Sequence, residues 1–161
     1  MIPRIGPMEL ARKLIGQHEK AGDQDNPLIL WMLQRVAPWA EHDEIAWCAA
    51  YVSAICWLTG MPDTCSARAR SWLSVGTPVS IDEADPTSGI YVVILSCGYN
   101  APPADVLEAP GHVGFLVSKT DYSVKLFGGN QADSVSEADF PRIRILGVRC
   151  LTSPPTEEEE E

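Results

Sequence analysis

The chain contains a cysteine, a histidine and an asparagine whose positions suit thiol catalysis. Cys48 falls in the opening turns of an apolar, helix-like segment, where unpaired backbone amides and the helix dipole lower the pKa of a thiol. A nucleophilic cysteine needs a base, and the base needs an orienting group. His112 and Asn130 are the candidates for these two tasks. We therefore predict Cys48 as nucleophile, His112 as base and Asn130 as the residue that holds the imidazole ring.

The spacing of two neighbouring β-like runs supports this grouping. If Asp121 is the middle residue of a three-residue hairpin loop, His112 and Asn130 lie opposite each other on paired strands and share a face. A change of one residue in the loop would break that pairing. The prediction for Asn130 therefore depends on the register of the hairpin.

Each of the three residues also has a purely structural explanation. Cys48 lies among alanines in a segment typical of a buried helix, where thiols commonly serve as small apolar side chains. His112 fits an edge strand, and Asn130, which follows two glycines, fits a turn or bulge. The catalytic interpretation depends on the presence of all three together.

The elements that must position these residues change in character along the chain. Helices are predicted over residues 8–15, 28–36, 45–59 and 66–75, and strands over residues 90–95, 112–118, 124–127 and 143–149. Asn26 and Asp43 are predicted caps of the second and third helices, and Gly60 is predicted to end the third. Helices followed by strands predict an α+β domain in which N-terminal helices pack on a C-terminal antiparallel β-sheet. We expect one domain over residues 1–151 and a disordered acidic tail over residues 152–161, which end in five glutamates.

Composition and charge exclude several classes of protein. The 161 residues include 12 Lys and Arg against 22 Asp and Glu, a net charge of -10 that disfavours nucleic acid and anionic lipid as ligands. The longest apolar stretch, residues 45–58, is shorter than the roughly 20 residues that span a bilayer. The N-terminal segment lacks the pattern of a secretory signal, so we expect synthesis in the cytoplasm. Five cysteines without knuckle-like spacing predict neither a disulfide framework nor a metal site.

Four segments of the chain occur in an order that is informative as a set. They are Asp43 to Val52 with Trp47-Cys48-Ala-Ala-Tyr, Ser66 to Leu73, Gly111-His112-Val-Gly-Phe, and Gly128-Gly-Asn130-Gln-Ala-Asp-Ser-Val135. Together they resemble a phage and prophage family of CHAP-like and NlpC-like cysteine peptidoglycan hydrolases, over residues 26–149. The chain departs from the family pattern at the first strand, where Gly89-Ile90-Tyr-Val-Val stands in place of Gly-Asp-Ile-Val-Val.

The resemblance implies a papain-like fold and cleavage of an amide bond in the cell-wall peptide, with the three predicted catalytic residues in the roles given above. It also implies that Trp47 and Gln131 lie beside the site. Trp72 and Tyr99 are further candidates for binding sugars or short peptides, although a tryptophan in a helical stripe more often belongs to the core. The reaction requires no cofactor and no metal.

Three functional classes remain open. The first is an amidase or endopeptidase that cleaves the stem peptide of peptidoglycan, as a phage lysis protein or a cell-wall-degrading effector. Such an enzyme would reach the periplasm through a holin or secretion machinery, and an effector would be matched by an inhibitor or immunity protein. The second class is a non-catalytic wall-binding or phage-structural module on the same fold, which would tolerate the missing Asp after Gly89. The third is a cysteine acyltransferase or deamidase that acts on a protein, which suits an acidic chain.

Overall fold

A computed structural model of the chain describes residues 4–22, 24–88 and 90–152. Within these residues the N-terminal part contains α1 (Pro7–Lys13), α2 (Pro27–Val36), α3 (Cys48–Thr59) and a 3₁₀ helix (Ala69–Ser74). The prediction for the start of α2 is confirmed, because the Asn26 side chain accepts hydrogen bonds from the two amides that follow Pro27. Gly60 ends α3 in the left-handed conformation, with φ of 73°.

The C-terminal part of the described chain forms one antiparallel sheet of six strands, in the spatial order β1-β6-β2-β3-β4-β5. The strands are β1 (Thr77–Val79), β2 (Ile90–Ser96), β3 (Gly111–Lys119), β4 (Ser123–Gln131), β5 (Ser134–Pro141) and β6 (Ile145–Leu151). A second 3₁₀ helix, Arg142–Arg144, separates β5 from β6. The fold is α+β, with N-terminal helices packed on a C-terminal antiparallel sheet, as the sequence predicts.

Helix α3 packs against β3 and β4 and is the central helix of the molecule. Every residue from Cys48 to Cys56 is buried, so the first part of this helix is enclosed on all sides. Its closest approach to the sheet is at Gly129 of β4, where a Cβ atom would lie 2.5 Å from Cζ3 of Trp47 and 2.7 Å from Cβ of Tyr51. The absence of a side chain at Gly129 lets the helix contact the backbone of the strand.

Two helix predictions are corrected by the structure. Helix α3 begins at Cys48 rather than near residue 45, with Trp47 as its N-cap, so Asp43 does not cap it. The Asp43 carboxylate instead accepts hydrogen bonds from the amides of Lys20, at 3.0 Å, and Asn26, at 2.6 Å. It therefore ties the segment before α2 to the segment before α3. The fourth predicted helix is the shorter 3₁₀ helix Ala69–Ser74.

The strand predictions missed both edges of the sheet. Strand β5 contains Glu137, Ala138 and Asp139, residue types with low β propensity, and its pattern is correspondingly weak. Strand β1 has only three residues, one of them proline. The strand predicted from residue 143 begins at Ile145, because residues 142–144 form the second 3₁₀ helix.

A buried arginine holds the loop between β2 and β3. Arg70, on the first 3₁₀ helix, is 0% exposed. Its guanidinium donates hydrogen bonds of 2.6 to 3.3 Å to four backbone carbonyls of the loop, those of Pro102, Pro103, Val106 and Pro110. A buried guanidinium requires such partners, and here they fix the loop that leads into β3.

The acidic tail was predicted over residues 152–161, of which residues 153–161 lie outside the described residues. In the part of the chain that the structure describes, no helix is both long enough and apolar enough to cross a membrane.

Candidate active site

The three predicted catalytic residues line one cleft of about 460 Å³, and Gln131 lines it with them. Cys48 comes from the start of α3, His112 from β3, and Asn130 and Gln131 from the end of β4. The remaining side chains of the cleft come mainly from the segment after β2, from β5 and from the second 3₁₀ helix, and include Cys97, Ser136, Glu137, Phe140 and Arg144. The fold thus brings together residues that are far apart in the sequence.

Cys48 is the first residue of α3, so its sulfur lies beside backbone amides that have no partner within the helix. The residue is only 6% exposed. Burial raises the pKa of the Cys48 thiol, and backbone hydrogen bonds from Val113 and Ala49 oppose that effect. The resting site therefore holds a neutral thiol at neutral pH, and a base is needed to generate the thiolate.

Gln131 orients the His112 ring. Its side-chain amide nitrogen donates to the carbonyls of Leu126, at 3.2 Å, and Ser136, at 2.6 Å, so both of its hydrogens are used. The amide oxygen Oε1 then faces Nε2 of His112 at 3.0 Å and must accept a hydrogen bond from it. In the neutral ring the proton is thus on Nε2, and Nδ1 is the nitrogen that can accept a proton.

Two glycines make space for this amide group. A Cβ atom at Gly128 would lie 2.9 Å from Oε1 of Gln131, and one at Gly114 would lie 3.5 Å from the same atom. A larger side chain at Gly128 would therefore displace the group that holds the His112 ring.

The ring contact predicted for Asn130 is made by its neighbour, Gln131. The predicted loop centred on Asp121 is wrong, because next to the turn Lys119 pairs with Val124, one position out of the predicted register. An irregularity between Leu116 and Ser118 restores the predicted pairing of Phe115 with Phe127, but the β3–β4 pairs do not extend to His112. Asn130 has a left-handed backbone, φ 57°, beside an irregularity in the β4–β5 pairing, and this kink turns the end of β4. Asn130 remains in the cleft wall, and no hydrogen bond joins it to His112 among the described residues.

Phe140 and Arg144 complete the surroundings of His112. The centroids of the Phe140 and His112 rings lie 5.2 Å apart. The Arg144 guanidinium lies over the Phe140 ring, 5.4 Å from its centroid. Burial lowers the pKa of His112 below its ordinary value, the hydrogen bond to Gln131 opposes this, and the charge of Arg144 adds to the lowering. His112 is therefore neutral, and able to act as a base, at neutral pH.

The predicted aromatic contacts to substrate are mostly corrected. Trp47 and Trp72 are each 0% exposed, so neither can contact a ligand in the cleft. Trp47 instead donates a 2.7 Å hydrogen bond from its indole to Glu19 and packs on Gly129. Tyr99 is 68% exposed, but it lines a separate depression beside the loop after β2. Gln131 is 4% exposed and contacts the base rather than open solvent.

Sequence reasoning missed Cys97, Phe140 and Arg144 as residues of this cleft. Phe140 lies on β5 and Arg144 on the second 3₁₀ helix, and neither of these elements was predicted. Cys97 is exposed at the end of β2, and no motif marks it. Cys97 directly follows β2, Phe140 lies near the end of β5, and Arg144 directly precedes β6. The sequence therefore marked these residues only indirectly, through the strand ends that meet beside His112.

Within the described residues, no group of three or more His, Cys, Asp or Glu side chains is placed to hold a metal ion. Comparison of the chain with protein-family models, with curated proteins and with solved structures finds no match. Inferences about function therefore depend on the residues of the cleft.

Proposed function

We propose that the protein is a cysteine hydrolase that cleaves an amide bond in the stem peptide of peptidoglycan, on a papain-like arrangement of helix and sheet. The observation that carries the proposal is the hydrogen bond from His112 to Gln131, which leaves Nδ1 as the basic nitrogen in a cleft shared with Cys48. A histidine held in one tautomer, in the same cleft as a cysteine at a helix N-terminus, is the set of groups that thiol catalysis needs. The choice of peptidoglycan comes from the resemblance of the sequence segments.

The first half of the proposed reaction forms a thioester. Nδ1 of His112 accepts the proton of the Cys48 thiol while the sulfur attacks the carbonyl carbon of the scissile amide. Amides at the start of α3, including that of Cys48, donate hydrogen bonds to the oxyanion that develops. The imidazolium then gives its proton to the leaving amine, and the carbon–nitrogen bond breaks.

The second half releases the acid product. His112 takes a proton from water, which attacks the thioester carbonyl, and the carbon–sulfur bond breaks as the thiol is restored. Gln131 holds the His112 ring in both halves of the reaction. Its amide oxygen accepts a hydrogen bond from the imidazolium but carries no negative charge that would stabilise it further. The products are a carboxylic acid and an amine, and no cofactor takes part. We place the substrate in the cell wall, which the protein reaches after release or delivery from the cytoplasm.

Digestion of purified peptidoglycan, followed by mass analysis of the soluble fragments, tests this proposal. The unaltered protein should release fragments that differ from intact muropeptides by hydrolysis of one amide bond. Cys48→Ser should reduce the rate by at least about 1000-fold, because the hydroxyl is a far weaker nucleophile beside a neutral imidazole. Cys65→Ser is the matched control, since Cys65 is an exposed thiol outside the cleft.

The outcomes separate the open functional classes. Equal release by the Cys48→Ser protein would overturn the assignment of the nucleophile. Binding to the wall without any release, by a protein whose fold is confirmed by circular dichroism, would favour a non-catalytic wall-binding module. If the protein neither binds the wall nor releases fragments from it, the third class, an enzyme that acts on a protein, would be favoured.

A further inference from the structure

The cleft contains one cation that no acidic side chain of the described residues neutralises. Arg144 forms no ion pair there, whereas the other charged group of the cleft wall, Glu137, is paired with Arg12 at 3.1 Å. The protein as a whole carries a net charge of -10. An uncompensated arginine inside the cleft that contains Cys48 and His112 is therefore unusual for the composition of this chain.

Arg144 is held in a fixed orientation by backbone and by an aromatic ring. Its Nε and Nη2 atoms donate to the carbonyl oxygen of Ser96 at 2.9 and 2.7 Å. The face of the guanidinium lies over Phe140, which in turn contacts the His112 ring. Because both the edge and the face of the group are fixed, its orientation does not need to be established when a ligand binds.

Two of the three remaining N–H groups of Arg144 form one free edge. A guanidinium has five N–H bonds, and the contact with Ser96 uses one on Nε and one on Nη2. The free edge therefore presents parallel N–H groups from Nη1 and Nη2, for which the described residues supply no acceptor. Two parallel N–H groups match the two oxygens of a carboxylate, which arginine binds in a bidentate manner.

We propose that this free edge binds a carboxylate that the substrate carries next to the scissile amide, so that the enzyme selects acidic stem peptides. The inference rests on the proposed function and adds the substrate group that the site recognises. The carboxylate would lie beside Phe140, whose ring contacts His112, in the same cleft as the amide that Cys48 attacks. Arg144 is then a specificity-determining residue, distinct from the base, its orienting glutamine and the nucleophile.

The test compares two substrates and two arginine variants. Cross-linked muropeptides with free carboxylates are measured against the same muropeptides after conversion of the carboxylates to methylamides. For the unaltered protein we expect kcat/KM to fall roughly 10- to 100-fold on the amidated substrate, the effect of losing one charge-assisted contact. Arg144→Met should show the same low rate on both substrates, and Arg144→Lys should recover only part of the preference. Arg68→Met, which removes the same charge outside the cleft, should behave as the unaltered protein.

A binding measurement keeps the inference separate from the proposed function. Cys48→Ala protein is titrated calorimetrically with the same two muropeptide preparations, and its Cys48→Ala/Arg144→Met form is titrated in parallel. Cleavage of both substrates at equal rates by the unaltered protein would overturn the role of Arg144 and leave the hydrolase intact. No cleavage, but binding that requires both the carboxylate and Arg144, would overturn the hydrolase and leave the carboxylate site intact. Absence of both cleavage and carboxylate-dependent binding would overturn both.

Discussion

The chemistry of the cleft depends on which side chain faces each nitrogen of one imidazole. Gln131 offers an oxygen to Nε2 of His112 because its own NH₂ group is committed to the carbonyls of Leu126 and Ser136. Rotation of the amide by half a turn would place a donor against the ring and lose both carbonyl contacts. The backbone of β4 and β5 therefore determines, through Gln131, which nitrogen of the base is free.

Replacement of Gln131 by leucine tests this role. Gln131→Leu removes the acceptor of Nε2, so the neutral ring is no longer held in one tautomer, and we expect kcat to fall roughly 10- to 1000-fold. It also removes the hydrogen bonds that Gln131 donates to the carbonyls of Leu126 and Ser136, which costs about 0.5 to 1.5 kcal/mol of folding stability for each bond. Asn130→Gly, which suits the left-handed backbone at that position, should reduce kcat much less. Steady-state kinetics and urea denaturation separate the two effects, and a larger loss of kcat in Asn130→Gly would assign the orienting role to Asn130 instead.

The pH dependence of the reaction reports on the surroundings of His112. Burial and the charge of Arg144 lower its pKa from the ordinary value of 6.5. Since only the neutral ring can act as base, the acidic limb of kcat/KM should lie below pH 6.5. In Arg144→Met the cation is removed, the pKa of His112 rises, and the limb should move to higher pH. Nuclear magnetic resonance titration of the His112 ring measures the same change without substrate, and an unchanged or lower titration midpoint in Arg144→Met would contradict it.

At the residue scale, sequence reasoning grouped Cys48 with His112, which do line one cleft, but chose the wrong neighbour for the ring. The pairing of Phe115 with Phe127 matches the prediction only because an irregularity between Leu116 and Ser118 offsets the shifted register at the turn. Extrapolation of that pairing to His112 pointed to Asn130. The extrapolation failed because Asn130 has positive φ, which no alternation rule anticipates for a residue inside a strand. A local backbone exception of this kind is visible in three dimensions and only weakly encoded in one sequence.

At the scale of elements, the site depends on how closely α3 can approach β4. Gly129 is the point of contact, and a methyl group there would overlap Trp47 and Tyr51. We expect Gly129→Ala to destabilise the fold by about 1 to 3 kcal/mol, because the helix and strand must separate to admit it. Urea denaturation monitored by tryptophan fluorescence measures the loss.

Gly6→Ala provides the matched control for this change. A Cβ atom at Gly6 would have no other heavy atom within 4 Å, and its backbone has φ of -75°, which alanine adopts readily. The substitution should change the free energy of unfolding by less than about 0.5 kcal/mol. Equal stability of the Gly129→Ala protein and the Gly6→Ala protein would show that α3 does not depend on the glycine contact.

The predictability of the elements followed the strength of their local signals. The start of α2 was predicted because Asn26-Pro27 is a strong capping pattern, whereas the start of α3 was placed too early because apolar residues precede Cys48 without forming a turn of helix. The turn between β4 and β5 has positive φ at Ala132 and Asp133, and alanine, unlike asparagine or glycine, does not mark a hairpin turn. Strand β5 therefore escaped prediction, and the cleft residues that depend on it escaped with it.

At the scale of the whole molecule, the net charge opposes the encounter with the cell wall that the proposed function requires. A net charge of -10 repels a wall polymer whose stem peptides carry carboxylates, and five of the acidic residues are the glutamates at positions 157–161. The contact proposed for Arg144 acts at hydrogen-bond distance and favours the same carboxylates. The net charge of the protein therefore repels the wall polymer at long range, whereas the proposed Arg144 contact attracts its carboxylates at short range.

Salt distinguishes the long-range repulsion from the direct contact of Arg144, because it screens the repulsion more strongly than the contact. Raising the ionic strength from 0.01 to 0.15 M shortens the Debye length from about 30 to about 8 Å, which removes most of the repulsion and little of a direct contact. With intact wall fragments as substrate, KM should therefore fall roughly two- to tenfold over this range. A chain that ends at Thr152 lacks the five terminal glutamates, which are half of the net charge of -10, and should show a weaker dependence on salt. If KM rises with salt in the full-length chain, attraction dominates at long range too, and the cleft rather than the net charge determines how the protein meets its substrate.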